Sequence, residues 1–213
     1  MASFSNAGSD IFKEEWLKYG VEPEHGSYFI SIDLAGFEEV AKQAGNAKKR
    51  LDESAICVVK VTDDGKWFVK EIIHGRWDIR ETAAKILMAM RDYRPTSVGI
   101  ERGALKNAVL PYLSDLMRKN NVYSHIVDLT HGNRKKTDRV IWALQGRFEH
   151  GRIVLNSEEN WDDFIDQLLM FPATGVHDDL PDALSYMDQL AVTSYFEQDE
   201  DDEWEPIDII SGV

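Results

Sequence analysis

The stretch Val176-His177-Asp178-Asp179-Leu180-Pro181-Asp182-Ala183-Leu184-Ser185-Tyr186 puts three aspartates beside a histidine. Apolar residues recur at helical spacing through and after it (Leu180, Ala183, Leu184, Met187, Leu190, Ala191), which predicts a helix carrying the acids on its first turn. At about 100° per residue, Asp178, Asp179 and Asp182 fall within roughly 100° of arc and share one face. The same residues also suit plain capping, with Asp179 as N-cap, Pro181 in the first turn and Asp182 completing a box-like cap. Two distant acids add weight to a chemical role. Asp33 follows directly on the apolar run Tyr28-Phe29-Ile30-Ser31-Ile32, and Glu101 on Thr96-Ser97-Val98-Gly99-Ile100. If those runs are neighbouring parallel strands, their carboxyl ends lie about 5 Å apart, at the sheet edge where α/β sites form. Buried carboxylates are costly unless neutralised, and none of the three segments supplies a matching base. Either strand-end acid alone also reads as an ordinary salt bridge. Carboxylates clustered without His/Cys at zinc spacing suit hard cations, Mg²⁺ or Mn²⁺. Two such ions about 3.5–4 Å apart would clamp an in-line phosphoryl displacement.

The elements that must position these groups follow from periodicity. Residues 4–20 (Phe4, Ile11, Phe12, Trp16, Leu17, Tyr19) read as a short amphipathic helix or apolar strap, and Gly20 to Gly26 as a linker. The run 28–32 reads as a strand buried on both faces and central in its sheet. Phe37 to Glu53 is a charged, Ala-rich insertion. Strands over 55–61 and 67–73 flank Asp64-Gly65, the best hairpin signal present. An amphipathic helix through Ile79, Ala83, Ile86, Leu87 and Met90 stops before Pro95. A strand over 96–100, a helix from Leu105 to Met117 and an edge strand over 122–129 follow. Helices are expected over about 134–149 and about 158–170, then from Asp179, with Arg152-Ile153-Val154-Leu155 as a further short strand candidate. The order β-β-β-α-β-α-β followed by helices predicts an α/β domain: a mixed five-stranded sheet covered by helices.

The 213 residues, 43% of them hydrophobic, suffice for one good-sized domain with tails. We divide the chain into a strap and linker over 1–26, a main domain over 27–196 and an acidic, disordered tail over 197–213. That tail supplies eight negative charges and no Lys or Arg, so the net charge of −14 does not argue against a phosphate-bearing substrate. By contrast His131-Gly132-Asn133-Arg134-Lys135-Lys136-Thr137-Asp138-Arg139 is basic. Arg134, Lys135, Lys136, Arg139 and Arg147 are candidates for backbone-phosphate contacts, which position without reading sequence. A solvated helix start is the plainer reading of that loop. The single cysteine, Cys57, lies in a Val-rich run and reads as a buried small hydrophobe, which excludes a disulfide framework. With no stretch of 18 consecutive apolar residues and no signal-peptide pattern, a soluble, intracellular protein with no membrane partner is expected.

The series SIDLAG, VGIERG, KKTDRVIWALQGRFEHGRIVL and FPATGVHDDLPDALSY resembles the nuclease domain of the large terminase subunit of tailed bacteriophages, over roughly residues 10–195. That family belongs to the ribonuclease H-like superfamily, with Holliday-junction resolvases and integrases. The segment IFKEEWLKYG is similar to the strap that follows the ATPase domain in complete terminases. The resemblance implies a metal-dependent endonuclease that cuts double-stranded DNA during packaging in the host cytoplasm, with little sequence preference. It implies the ATPase domain, the small terminase subunit and the portal as partners. It also makes Asp33 the central-strand metal ligand and Glu101 the second-strand ligand. From the third motif it draws Asp179 and Asp182, with Asp178 an additional candidate; His177 is a candidate for proton transfer or for a structural role at the helix start. No GxxxxGK[ST] loop occurs, so the chain is not the ATP-driven motor; an excised domain and a stand-alone nuclease both remain open. Two rival readings are a junction resolvase-like nuclease and a non-catalytic module that clamps DNA or docks the motor.

Overall fold

The computed structural model describes residues 11–36, 53–130, 132, 135–173 and 177–191. Residues 37–52 of the insertion, the acidic tail and Arg134 lie outside the described residues. The strands are β1 (Tyr19–Gly20), β2 (Ser27–Asp33), β3 (Ser54–Val61), β4 (Trp67–Gly75), β5 (Ser97–Glu101), β6 (His125–Leu129) and β7 (Ile153–Asn156). The helices are α1 (Ile79–Tyr93), α2 (Ala104–Asn120), α3 (Lys136–Glu149), α4 (Asp162–Met170) and α5 (Asp179–Ser185), with a 3₁₀ turn at Glu14–Trp16. The sheet runs β1-β7-β4-β3-β2-β5-β6, with β2-β3 and β3-β4 antiparallel and the other pairs parallel.

Among the described residues the sheet has seven strands in place of the five expected. Ile153–Asn156 pairs with β4, and the two-residue β1 pairs with β7 beyond it. Two residues are too short to show a period-2 pattern, so β1 has no signal in the sequence. The edge position expected for β6 holds, as does the hairpin at Asp64-Gly65, where Gly65 takes φ 80°.

Alternation along the strands sorts the core into two layers. Ile30, Ile32, Ile56, Val58, Val98 and Ile100 face α1 and α2. Phe29, Ala55, Cys57 and Val59 face the other way, into a layer shared with α3, α4 and α5. Helix α1 is held by a reciprocal cap between Asp78 and Glu81, and it ends at Arg94 in the left-handed region, one residue before Pro95. Cys57 is fully buried, and burial raises its thiol pKa.

The N-terminal segment is clasped to the main sheet. Phe12 sits in the α3–α5 layer. Glu22 accepts from Tyr28, from Lys60 at 3.3 Å and from Lys70 at 3.0 Å. Burial raises the Glu22 carboxyl pKa, but those three hydrogen bonds outweigh it and lower the value to about 2. A lowered folded-state value stabilises above the unfolded one, 4.5, and the contribution is lost as pH falls towards 2. Glu22→Gln should therefore cost about 1 kcal/mol at pH 7, allowing for solvent screening, with the difference closing towards pH 2. Urea unfolding at several pH values checks this, and a pH-independent difference would contradict it.

Candidate metal centre

The register that pairs Ile32 with Ile100 puts Asp33 and Glu101 next to each other at the carboxyl ends of parallel β2 and β5. Since Ile32 and Ile100 point to the α1–α2 layer, alternation turns Asp33 and Glu101 to the opposite face. On that face lies α5. Ser31, two residues before Asp33 and so on the same face, donates from Oγ to the Ala183 carbonyl at 2.6 Å. That bond fixes the helix against the strand and brings its acids over the strand ends. A serine inside an otherwise apolar run is the signal in the sequence for this anchor.

Helix α5 departs from the expected capping. Asp178, not Asp179, is the N-cap residue, and its side chain makes no capping bond. The Leu180 N–H is met from outside, by Gln167 Oε1 at 2.9 Å, and Pro181 has no N–H to satisfy. The three aspartates thus serve purposes other than capping. Asp179 Oδ2 accepts from the Glu53 N–H at 3.3 Å and lies 3.6 Å from His177 Nδ1. Asp182 is 2% exposed and is paired with Arg139 and, at 3.0 Å, with Lys136. Asp178 accepts from Lys136 at 2.9 Å.

The basic residues separate by place. Lys135 is exposed just ahead of α3. Lys136 reaches inward to the aspartates. Arg139 is 8% exposed, paired with Asp182 and stacked over the Tyr186 ring, its guanidinium carbon 4.3 Å from the centroid. Arg147 binds Asp188 at 2.7 Å and stacks on Trp67. Trp67 pairs with Val61, and Val61 with Ser27, at the end of the sheet opposite Asp33. Six residues of strand separate the two ends, about 20 Å. So Lys136 and Arg139 stand as counter-charges within the cluster, and Arg147 does not converge on it. The pattern of the sequence singled out the same residues but could not tell an inward base from an outward one.

The electrostatics show whether a cation suits this place. Asp33, Glu101, Asp178, Asp179 and Asp182 gather five carboxylates around the two cations Lys136 and Arg139. Burial raises the Asp33 pKa well above its usual range, and Asp182 adds to this; Lys136 eases it, and Glu101 and Asp179 raise it further. The carboxylates therefore outnumber the positive charge available, the condition a divalent cation relieves. Among the described residues, no three His, Cys, Asp or Glu side chains converge at ligand distance as they stand. Charge and donor type fit a hard cation, while Lys136 and Arg139 occupy Asp178 and Asp182.

A mixed sheet with acids at the ends of adjacent parallel strands, beneath an acid-bearing helix, is a ribonuclease H-like arrangement. The family model for the terminase RNaseH-like domain matches residues 43–188, more than half of the chain. The chain belongs to this family, as a terminase nuclease domain of the ribonuclease H-like superfamily. Glu101, Asp178, Asp179 and Asp182 fall inside the match; Asp33 lies before it. Among solved structures, the large terminase nuclease from thermophilic phage G20c with bound magnesium aligns with a TM-score of 0.56 at 13% identity, over 81% of this chain and 92% of that one. The same nuclease with bound zinc gives 0.55 at 14% identity and the same coverage. The yeast mitochondrial Holliday junction resolvase Ydc2 gives 0.47 at 12% identity, over 85% of this chain and 86% of that one. At these identities the terminase alignments show a shared fold. No curated protein matches the sequence. Among the described residues, no helix is long and apolar enough to cross a membrane.

Proposed function

We propose that this domain is a Mg²⁺- or Mn²⁺-dependent endodeoxyribonuclease that hydrolyses double-stranded DNA with little sequence preference, as the cutting module of phage genome packaging. The observation that carries this reading is the placing of Asp33 and Glu101 one residue beyond the Ile32–Ile100 pair of parallel strands, in a cluster whose carboxylates outnumber its cations. Asp33, Glu101 and Asp179 would hold the ion, with Asp178 and Asp182 next to them. When bound, the ion supplies activation of water and neutralisation of charge on the scissile phosphate.

The chain's own groups do the remaining work. Ser31 and Gln167 fix α5, so Asp179 is held over the strand ends in a set position. His177, 3.6 Å from Asp179, steadies that carboxylate and is placed to take up or pass on a proton. Arg139 and Lys136 pair with Asp182 in its buried place, so that its carboxylate does not face Asp33 unopposed. Lys135, at the exposed start of α3, contacts the DNA backbone, with Arg134 beside it in the sequence. The packaging ATPase, the small terminase subunit and the portal are the partners, and the host cytoplasm is the place of action.

Linear duplexes and four-way junctions incubated with the protein and Mn²⁺ test the substrate class. Cutting of both at similar rates is expected. Cleavage confined to junctions would move the reading to a resolvase, and binding of DNA without cleavage under any metal would leave a clamping module. Lys135→Glu should weaken binding to unrelated DNA sequences alike and lower the salt slope by about 1 for each phosphate no longer neutralised. Fluorescence anisotropy over a salt series measures this; weakening limited to one sequence would contradict it.

A further inference from the structure

Lys136 occupies an unusual position for a residue at the start of a helix. Its Nζ lies 2.9 Å from Asp178 Oδ1 and 3.0 Å from Asp182 Oδ2, bridging the α5 N-cap residue and an aspartate of the first turn. Asp182 is additionally held by Arg139, whereas Asp178 has Lys136 as its charged partner. The ammonium thus stands on the side of the cluster formed by Asp178 and Asp182. Glu101 and Asp179 complete the carboxylate set, with the Glu53 N–H and His177 against Asp179.

We propose that Lys136 is a built-in, displaceable second cation of the centre. Its ammonium takes the place that a second divalent ion would fill beside Asp178 and Asp182, so the parent protein binds one divalent ion readily and a second only by displacing Lys136. The inference rests on the reading of Asp33, Glu101 and Asp179 as metal ligands and deepens it by setting how many ions the centre takes.

The chemistry of the two cations makes the competition direct. An ammonium donates hydrogen bonds at about 2.8–3.0 Å from the oxygens it bridges, while a small divalent ion demands oxygens at about 2.0–2.1 Å in near-octahedral array. One pair of carboxylate edges cannot serve both at once. An ammonium hydrogen-bonded to two carboxylates keeps its charge at neutral pH, so the competing cation is present. The lysine side chain is 38% exposed on a flexible four-carbon stem, so it can swing out to solvent without disturbing α3. Arg139, at 9% side-chain exposure, is locked by Asp182 and Tyr186 and stays. A lysine that yields and an arginine that does not would let α5 keep its shape as the ion count changes.

Calorimetric titration of the whole chain with Mn²⁺, beside Lys136→Met, Lys136→Gln and Lys136→Arg, tests this. The parent should bind one ion in the accessible range, Lys136→Arg one, and Lys136→Met and Lys136→Gln two. In the last two variants the second ion should bind at least about tenfold more tightly than in the parent, since a unit positive charge has left the site. Thermal unfolding of each variant shows that it is folded, as Arg139 still holds Asp182. Two ions in the parent, or one ion of unchanged affinity in the folded Met and Gln variants, would overturn the proposal while leaving the metal centre standing. No ion bound by any form would overturn both.

Discussion

Asp33→Asn should abolish metal-dependent DNA cutting and, with metal absent, make the protein more stable. The two effects share one cause. Asp33 sits at the end of a strand whose side chains are mostly buried, beside Glu101 and under the α5 acids, and burial with Asp182 raises its carboxyl pKa well above the usual range. A raised folded-state value means the native protein holds this proton more tightly than the unfolded chain does. As pH rises past the unfolded value of 3.8, the unfolded chain ionises first and stability falls until the folded group ionises as well. Asparagine keeps the shape and removes the titration. The variant should therefore gain about 0.5–2 kcal/mol at pH 7–8, the usual return when strain at a functional site is relieved, and less near pH 4. Cutting should fall by at least about 10³-fold, well past the ten- to hundredfold that loss of a supporting residue costs. Guanidinium unfolding in EDTA at several pH values measures the first effect and single-turnover cleavage in Mn²⁺ the second. A variant less stable than the parent, with cleavage intact, would make Asp33 a structural acid.

Arg139→Met should be the most damaging single change at the other side of the cluster. Its guanidinium neutralises Asp182, which is 2% exposed, and covers the buried Tyr186 ring, whose hydroxyl pKa burial raises. Removing one partner of a buried pair leaves a charge without enough compensation, a loss of about 3–5 kcal/mol. Lys136 still lies 3.0 Å from Asp182, so the lower end, about 3 kcal/mol, is expected. Pairing the change with Asp182→Leu should recover more than half of the loss, because neither charge of the buried pair then remains. Lysine at position 139 keeps the charge but not the planar stacking, and should fall between the two. A loss below about 1 kcal/mol for Arg139→Met would show that the pair is not what holds α5 to α3.

The strand-end acids were legible in the sequence for a local reason. Asp33 and Glu101 each close a short apolar run, and neighbouring parallel strands leave such residues side by side. Ser31 was read only as part of its apolar run, because its partner, the Ala183 carbonyl, is 152 residues away. What could not be read depends on pairing across such distances. Lys136 and Arg139 lie three residues apart at the start of a helix, which is also how a solvated or phosphate-binding face looks. Only the approach of α5, some 40 residues on, turns both inward. The N-cap was misplaced by one because Asp178 and Asp179 are interchangeable as capping types, and the decisive hydrogen bond comes from Gln167 on another helix. Arg147 shows the same limit: it follows the basic stretch in sequence, yet α3 carries it towards the far end of the sheet.

Conversion of supercoiled plasmid by the purified chain in Mg²⁺, in Mn²⁺ and in EDTA, with Asp33→Asn run beside the parent, tests the central claim most directly. Nicked and linear products with either metal, absent in EDTA and absent for the folded variant, are the predicted result. Cleavage that persists in EDTA, or that the variant carries out as fast as the parent, would contradict the carboxylate metal centre.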